Sequence, residues 1–226
     1  RYLGDSEGNV STVENQQKSP FGAISELLTN QNDARISRQY LLDPNTNKDG
    51  KNEKSPKNLK EAVHKYFISE VDNNFDLGES YNVLSKDKVN KLIDGNVICV
   101  TGGGTQKDSV KKPCITVIDN GEGQTPLKMP DTILSLNQNN KRAAEFLQGK
   151  FNMGGSGNAF FCENGFKLII SKRCPKIVYK EHAKDERDHE WGYTIIRRFK
   201  PHENGHKKAE YMYLAPLDGK QILSVK

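Results

Sequence analysis

The sequence predicts an α+β protein in which helices pack on one face of a mostly antiparallel, mixed sheet. The first half contains segments whose apolar residues recur at helical spacing, whereas apolar and polar residues alternate from Phe166 onwards. Charged or glycine-containing turns separate the alternating runs, which is typical of a meander. The chain of 226 residues is long enough to bury a core, so a single domain over 1–226 is expected.

The helices are predicted in the first two thirds of the chain. Helical periodicity extends from about Phe21 to Leu42, and the preceding pair Ser19 and Pro20 is a typical helix start. Similar spacing predicts further helices, the last of them broken, over Leu59–Val71, Lys86–Leu92 and Pro130–Gln148. The segment before Pro20 is expected to be irregular.

The strands are predicted mainly in the second half. The β-rich runs Asn96–Thr101 and Cys114–Ile118, joined by a connection with glycine and lysine, indicate a hairpin. The later runs "FKLIISKR", "WGYTIIRRF" and "AEYMYLA" alternate like antiparallel strands. The chain stops at "QILSVK", which also resembles a strand, so we expect it to be the N-terminal part of a larger protein.

Composition narrows the class of protein only partly. The balance of 34 basic and 29 acidic residues gives a net charge of +5, which suits an anionic ligand but lacks the dense basic stripe of most nucleic-acid binders. The four cysteines form no CxxC pair, which predicts buried free thiols in a reducing compartment. Without a signal peptide or an apolar run of about 18 residues, a cytoplasmic protein with no membrane contact is expected.

The first predicted helix carries a polar stripe. Glu26, Asn30 and Asp33 are spaced by four and three residues, which places their side chains on one helical face. Apolar residues fill much of the remaining surface. Taken alone, this pattern is that of an amphipathic helix whose polar side meets water.

A second segment, "ITVIDNGEGQTP", has an apolar strand that ends at Asp119 and then turns through Gly121 and Gly123. A carboxylate at the end of a core strand is costly to bury without a hydrogen-bond donor. The two glycines let the backbone curl and let a flat ligand approach closely. Because Asp-Asn-Gly is also a common turn, this segment alone leaves both interpretations open.

A third segment, "QGKFNMGGSGNAFF", contains a glycine cluster. Gly154, Gly155 and Gly157 precede Asn158–Cys162, a stretch that can start a helix. Exposed amides at the N-terminus of a helix bind anions, although a flexible loop explains the same composition.

In this order, the three segments resemble the ATP-binding domain of the GHKL family, and the resemblance covers about residues 20 to 175. The family comprises DNA gyrase B, the ninety-kilodalton heat-shock chaperones, MutL-type mismatch-repair proteins and histidine kinases. The family's N box, E-x-x-x-N-x-x-D-A, is matched at Glu26, Asn30, Asp33 and Ala34. Its D-x-G-x-G box is matched at Asp119, Gly121 and Gly123.

The nucleotide lid of the family, placed here at 124–157, is matched in part. Gly149, Phe151 and Gly154 fit the chaperone-type pattern G-x-F-G-x-G-F, while Asn152 replaces a usual glycine and Gly155 a usual aromatic residue. The resemblance implies a two-layer α/β sandwich of the Bergerat type.

The resemblance also implies Mg²⁺-dependent binding of ATP and its hydrolysis to ADP. Glu26 would activate the attacking water, Asn30 would bind Mg²⁺, Asp119 would accept a hydrogen bond from the adenine amine, and Asp33 would support the adenine through water. The other nucleotide-binding positions implied are Ala34, Gly121, Gly123, Gly149, Met153, Gly154, Gly155, Ser156 and Gly157. Histidine kinases usually lack the Asp-Ala pair, so the hydrolytic gyrase, chaperone and MutL branch is favoured.

Several alternatives stay open at the level of sequence. The late Gly-Thr strand of the hydrolytic branch has only a loose match in "WGYT", which leaves a nucleotide sensor or phosphotransfer module without efficient hydrolysis as an alternative. The basic stretches "SKRCPK" and "RRFKPHENGHKK" leave a nucleic-acid-associated ATPase open. ATP-dependent homodimerisation is implied by analogy. A metal-bound domain is the remaining alternative, with candidate ligands Cys174, His182, His189, His202 and His206.

Overall fold

The computed structural model of the chain describes residues 1–5, 7–15, 18–47, 50–69, 85–101, 114–136, 146–148, 157–162, 165–217 and 221–226. The α-helices in this part are α1 Val10–Glu14, α2 Pro20–Leu42, α3 Leu59–Val63, α4 Lys86–Ile93 and α5 Pro175–Lys180. A π-helical stretch, His64–Ile68, directly continues α3. The strands are β1 Val97–Thr101, β2 Cys114–Ile118, β3 Lys167–Ser171, β4 Trp191–Phe199, β5 Glu210–Tyr213 and β6 Leu223–Val225. The fold is therefore α+β.

Helix α2 begins where local chemistry predicts. The hydroxyl of Ser19 accepts a hydrogen bond from the Gly22 amide at 3.1 Å, which satisfies one of the unpaired N–H groups at the helix start. Pro20 occupies the first turn, where a missing N–H costs nothing. The helix ends at Leu42, as predicted, and α3 and α4 also start at the predicted residues Leu59 and Lys86.

The described strands form two sheets, and every pairing is antiparallel. Strands β1 and β2 make the predicted hairpin, with Val97 opposite Ile118. Strands β3, β4 and β5 make the predicted meander. Strand β3 pairs along one edge of β4. Strands β5 and β6 pair along the other edge, β6 with the start of β4 and β5 with its end.

One face of the four-stranded sheet carries the main core. Ile196, Tyr211 and Tyr213 are buried there against the chain around Met129 and Leu134. The opposite face is open, because Leu168 and Ile170 of β3 and Ile195 of β4 are 60%, 57% and 38% exposed. A second apolar cluster joins α2 to α3 through Ile36, Tyr40, Ala62, Tyr66, Phe146 and Leu147.

The predicted broken helix over Pro130–Gln148 is wrong in its described first part. Residues 126–134 form successive turns, in which the amide of Leu134 donates to Met129 O at 3.1 Å. The buried side chains Met129, Leu134 and Leu136 are separated by five and two residues, which is not a helical interval. Contacts with the sheet therefore decide the conformation of this segment.

The structure corrects three further predictions. The start of the chain contains α1, whose Val13 is fully buried, and is thus more ordered than expected. Helix α5 was not predicted. All four cysteines are free thiols, but only Cys174 is buried. Cys114 is exposed and Cys99 is half-buried, because the hairpin of β1 and β2 is accessible on both faces.

The C-terminus of α2 is held by a buried carboxylate. Asp43, whose side chain is 5% exposed, accepts hydrogen bonds from Lys65 Nζ at 2.7 Å, the Asn45 amide at 2.8 Å and the Tyr66 hydroxyl at 3.3 Å. Burial alone would raise the pKa of Asp43, but the hydrogen bonds from Lys65 and Asn45 hold this pKa well below its usual range.

This arrangement predicts an acid-sensitive contribution to stability. Because the pKa of Asp43 is lower in the folded than in the unfolded chain, the stabilisation is complete above the unfolded pKa of about 4 and is lost as the pH falls towards the folded value. Asp43→Asn should lower the free energy of unfolding at neutral pH by about 1–3 kcal/mol. Asp43→Asn should also weaken the decrease of this free energy with falling pH, as measured by urea unfolding.

The exposed Asp87, in the first turn of α4, offers a matched control. Asp87→Asn removes the same charge and should lower the free energy of unfolding by at most about 1 kcal/mol, which is the interaction of an exposed carboxylate with the helix dipole. Equal losses in the two variants would contradict a special role of Asp43.

Candidate functional site

Helix α2 packs directly against the loop that follows β2. The amide of Glu122 donates a hydrogen bond to Ala34 O at 2.9 Å. Gly121 lies so close to the helix that a Cβ atom there would be 2.5 Å from the Cβ of Ala34. Only a small residue on the helix and a glycine in the loop permit this approach.

Two polar side chains of α2 extend the contact along the helix. Gln31, which is 4% exposed, donates to the carbonyl oxygen of Ile118 at the end of β2. Arg38 donates through Nη1 to Asn120 O at 2.6 Å. The loop is therefore fixed along two turns of the helix.

Asp119 lies at the start of this loop. Its Oδ1 accepts a hydrogen bond from the Gly121 amide at 2.8 Å, so the carboxylate orders the turn that follows it. The side chain is accessible, yet desolvation by the surrounding protein raises its pKa, while the Gly121 amide and the charge of Arg35 oppose this shift. A carboxylate that is reachable and costly to charge is stabilised by any ligand that brings an N–H donor.

Asp33 lies on the same helix but is buried, with 1% exposure. Its Oδ1 accepts a hydrogen bond from the Gln148 amide at 3.0 Å. Gln148 immediately precedes the glycine-rich segment, so Asp33 connects α2 to the second half of the predicted lid. A protein partner of this kind was not foreseen from the sequence.

Glu26 and Asn30 lie one turn apart near the start of α2 and are both half-buried. The amide nitrogen of Asn30 donates to Glu26 Oε1 at 3.3 Å. Both residues precede Ala34 on one continuous helix, at roughly 1.5 Å of rise per residue. Their positions relative to the loop are thus set by the docking of α2.

Five of the six nucleotide-binding residues predicted in the lid lie outside the described residues, namely Gly149, Met153, Gly154, Gly155 and Ser156. Gly157 is described and buried, and the stretch after it is a short 3-10 turn, Asn158–Phe161, in place of the expected helix start. Asn158 is 6% exposed, and neither of its side-chain amide atoms has a hydrogen-bond partner within the described part of the chain. Buried amides of this kind usually have a partner, such as water or a ligand.

The loose match "WGYT" lies in β4. Thr194 is fully buried, and its hydroxyl donates to Leu214 O at 2.7 Å. Within the described residues, no group of three or more His, Cys, Asp and Glu side chains could hold a metal ion. The alternative of a Cys and His metal site thus has no support in this part of the structure.

The structure brings Asp33, Ala34, Asp119, Gly121 and Gly123 to one region, with Glu26 and Asn30 on the same helix. Sequence reasoning missed Gln31, Arg38 and Arg173, the last of which contacts the loop from its other side. Gln31 and Arg38 carry no distinctive signal, and the surroundings of Arg173 resembled a solvated basic strand end.

Comparison with protein-family models, with curated proteins and with solved structures gives no significant match for this chain. None of the helices in the described ranges contains a stretch that is both long and apolar enough to span a lipid bilayer.

The close approach of Gly123 to the chain after β3 gives a prediction. Gly123 has a φ of +63°, and a Cβ atom there would be 1.8 Å from Lys172 O. Gly123→Ala should therefore lower the free energy of unfolding by more than about 3 kcal/mol, since the clash adds to the backbone strain.

Gly205 is the matched control, because it has a similar φ of +84° but open space around it. Gly205→Ala should cost about 1–2 kcal/mol in chemical unfolding, which is the strain alone. Similar losses at the two positions would show that the packing against Lys172 does not matter.

Proposed function

We propose that this chain is a GHKL-type ATPase domain that binds ATP with Mg²⁺ and hydrolyses it. The observation that carries the proposal is the packing of the N box against the D-x-G-x-G box. Ala34 of the first meets Gly121 of the second, and Gln31 bonds to Ile118, which is 87 residues away in sequence. Two motifs selected for their resemblance to one family thus share one site.

The architecture is consistent with the proposal. A two-layer sandwich of the Bergerat type has helices on one face of the sheet and leaves the other face open. One face of the four-stranded sheet packs against Val13 of α1 and the chain around Met129 and Leu134, and the other face is exposed at Leu168, Ile170 and Ile195, which supports a two-layer arrangement.

The adenine ring would bind at Asp119. The carboxylate is accessible, and desolvation raises its pKa, so an N–H donor such as the adenine amine would stabilise its charged form. A guanine carbonyl at the same place would face an acceptor with no proton to share, which costs on the order of 1–3 kcal/mol. The glycines at 121 and 123 let the loop that carries Asp119 pack closely against Ala34 and Lys172 O.

The phosphate end would lie along the first half of α2. Asn30 uses its amide nitrogen towards Glu26, and its amide oxygen is the hard type of ligand that Mg²⁺ takes. When bound, this ion would neutralise phosphate charge. Glu26, which is held by Asn30, would orient a water molecule and accept its proton as that water attacks the γ-phosphate. Hydrolysis would drive a conformational change or dimerisation of a larger protein.

Nucleotide binding is tested by thermal unfolding with ATP, ADP or GTP, with and without Mg²⁺. A saturating adenine nucleotide should stabilise the fold, by about 2.7 kcal/mol at a hundredfold excess over Kd, while GTP should have little effect. Asp119→Asn keeps an oxygen for the Gly121 amide but loses the charge, so it should weaken the response to ADP. Equal stabilisation by ATP and GTP would refute the adenine assignment.

Hydrolysis is tested separately at Glu26. Glu26→Gln keeps the size of the side chain and an acceptor for Asn30 but removes the base, so phosphate release should fall by at least about a hundredfold while ATP binding is retained. Glu186, whose side chain is 88% exposed, is the control site, and Glu186→Gln should leave turnover unchanged. Unchanged hydrolysis in Glu26→Gln would remove the assignment of the base and favour the nucleotide sensor.

A further inference from the structure

A buried arginine contacts the loop of the candidate site from the side opposite α2. Arg173 lies between β3 and α5, and its side chain is 8% exposed. Its Nη1 donates to Glu122 Oε2 at 2.7 Å and to Gly123 O at 3.2 Å. Its Nη2 donates to Glu181 Oε1 at 2.5 Å, at the C-terminal end of α5. One guanidinium thus connects the loop to a helix.

The backbone around this arginine holds the same loop. The amide of Cys174 donates to Glu122 O at 2.8 Å, and the amide of Gln124 donates to Ser171 Oγ at 2.9 Å. Gly123, between them, lies against Lys172 O. Residues 122–124 are therefore fixed to residues 171–174, while the Glu122 amide bonds to α2.

Glu122 has a special place in this loop because a glycine lies on each side of it. Glycine has the largest conformational freedom in the unfolded chain, so the turn through Gly121 and Gly123 does not hold its own shape. The side chain of Glu122 is the only one between the two glycines. The charge-assisted bond to Arg173 is thus a second means by which a side chain orders this turn, beside the bond from the Gly121 amide to the Asp119 carboxylate.

We infer that Arg173 is a positioning residue that acts through Glu122 to set the geometry of the loop from Asp119 to Gly123, and thereby the affinity for the adenine ring. This inference rests on the proposed function. Glu181 has a different role, because it accepts the hydrogen bond from Nη2 of Arg173 at the end of α5 and does not touch the loop.

The two carboxylates provide a matched pair of variants. Glu122→Gln and Glu181→Gln each remove one of the two negative charges that pair with the buried guanidinium of Arg173. Each variant keeps a side-chain oxygen that can accept a hydrogen bond. Both should lower the melting temperature, because each leaves the buried charge of Arg173 less compensated. Only Glu122→Gln should weaken ADP binding, by about tenfold in titration calorimetry, and bring the Kd values of ADP and GDP closer together. Glu181→Gln should bind ADP within about twofold of wild type.

A third variant and a ligand-free measurement complete the test. Arg173→Lys keeps the charge but has no planar fork to bridge two carboxylates, so it should weaken ADP binding as Glu122→Gln does. Amide hydrogen exchange without nucleotide should accelerate at residues 121–124 in Glu122→Gln and not in Glu181→Gln.

Normal ADP affinity in Glu122→Gln, or equal weakening in Glu122→Gln and Glu181→Gln, would overturn the inference, because the arginine would then be a general structural contact. Failure of the wild-type chain to bind ADP would overturn the proposed function and this inference with it. Faster exchange confined to Glu122→Gln would in that case show that the contact of Arg173 with Glu122 and Gly123, which we call the clamp, orders the loop without any role in binding adenine.

Discussion

The packing of Ala34 against Gly121, with the hydrogen bond from the Glu122 amide to Ala34 O, determines where the other residues of the candidate site lie. A helix holds residues four and eight positions apart in a fixed relation, so docking α2 at one point also places Asn30 and Glu26. The polar stripe of this helix is therefore oriented by a contact between two of the smallest residues in the chain.

Helix α2 is fixed at its far end as well. Lys180 of α5 donates through Nζ to Leu41 O at 2.6 Å and to Asp43 O at 3.0 Å, while Lys65 and Tyr66 bond to the Asp43 carboxylate. The next residue after Lys180 is Glu181, which pairs with Arg173. Helix α5 thus connects the end of α2 to the clamp on the loop.

Local signals explain which parts of the fold could be predicted from the sequence. Ser19 and Pro20 define the start of α2 by themselves, and alternation along β4 follows from one buried and one open face. The turns at residues 126–134 could not be predicted, because Met129 and Leu134 are buried by contacts with the sheet. The six residues of α5 are too few for a periodic pattern, and the burial of Ile177 and Val178 stabilises the helix in its tertiary context.

The candidate site shows the same division. A spaced motif identified Asp33, Ala34, Asp119 and Gly121, because those residue types are uncommon in that order. The clamp was missed, since Arg173 and Glu122 are 51 residues apart and neither belongs to the family pattern. A long-range contact such as that of Arg173 with Glu122 follows from the topology and leaves no local trace in the sequence.

The charges around the site bear on how a polyphosphate would be accommodated. Glu26 is acidic, so a triphosphate bound beside it requires positive charge from elsewhere. The arginines that contact this region are already engaged, because Arg35 bonds to Leu92 O, Arg38 to Asn120 O and Arg173 to two carboxylates. These guanidinium groups stabilise the backbone and the loop. Arg35 and Arg38 keep their charges, because their partners are neutral carbonyls, and Arg35 acts on Asp119 while Arg38 binds the loop. Under the proposed function, Mg²⁺ held at Asn30 would add positive charge beside Glu26, where the phosphates would lie.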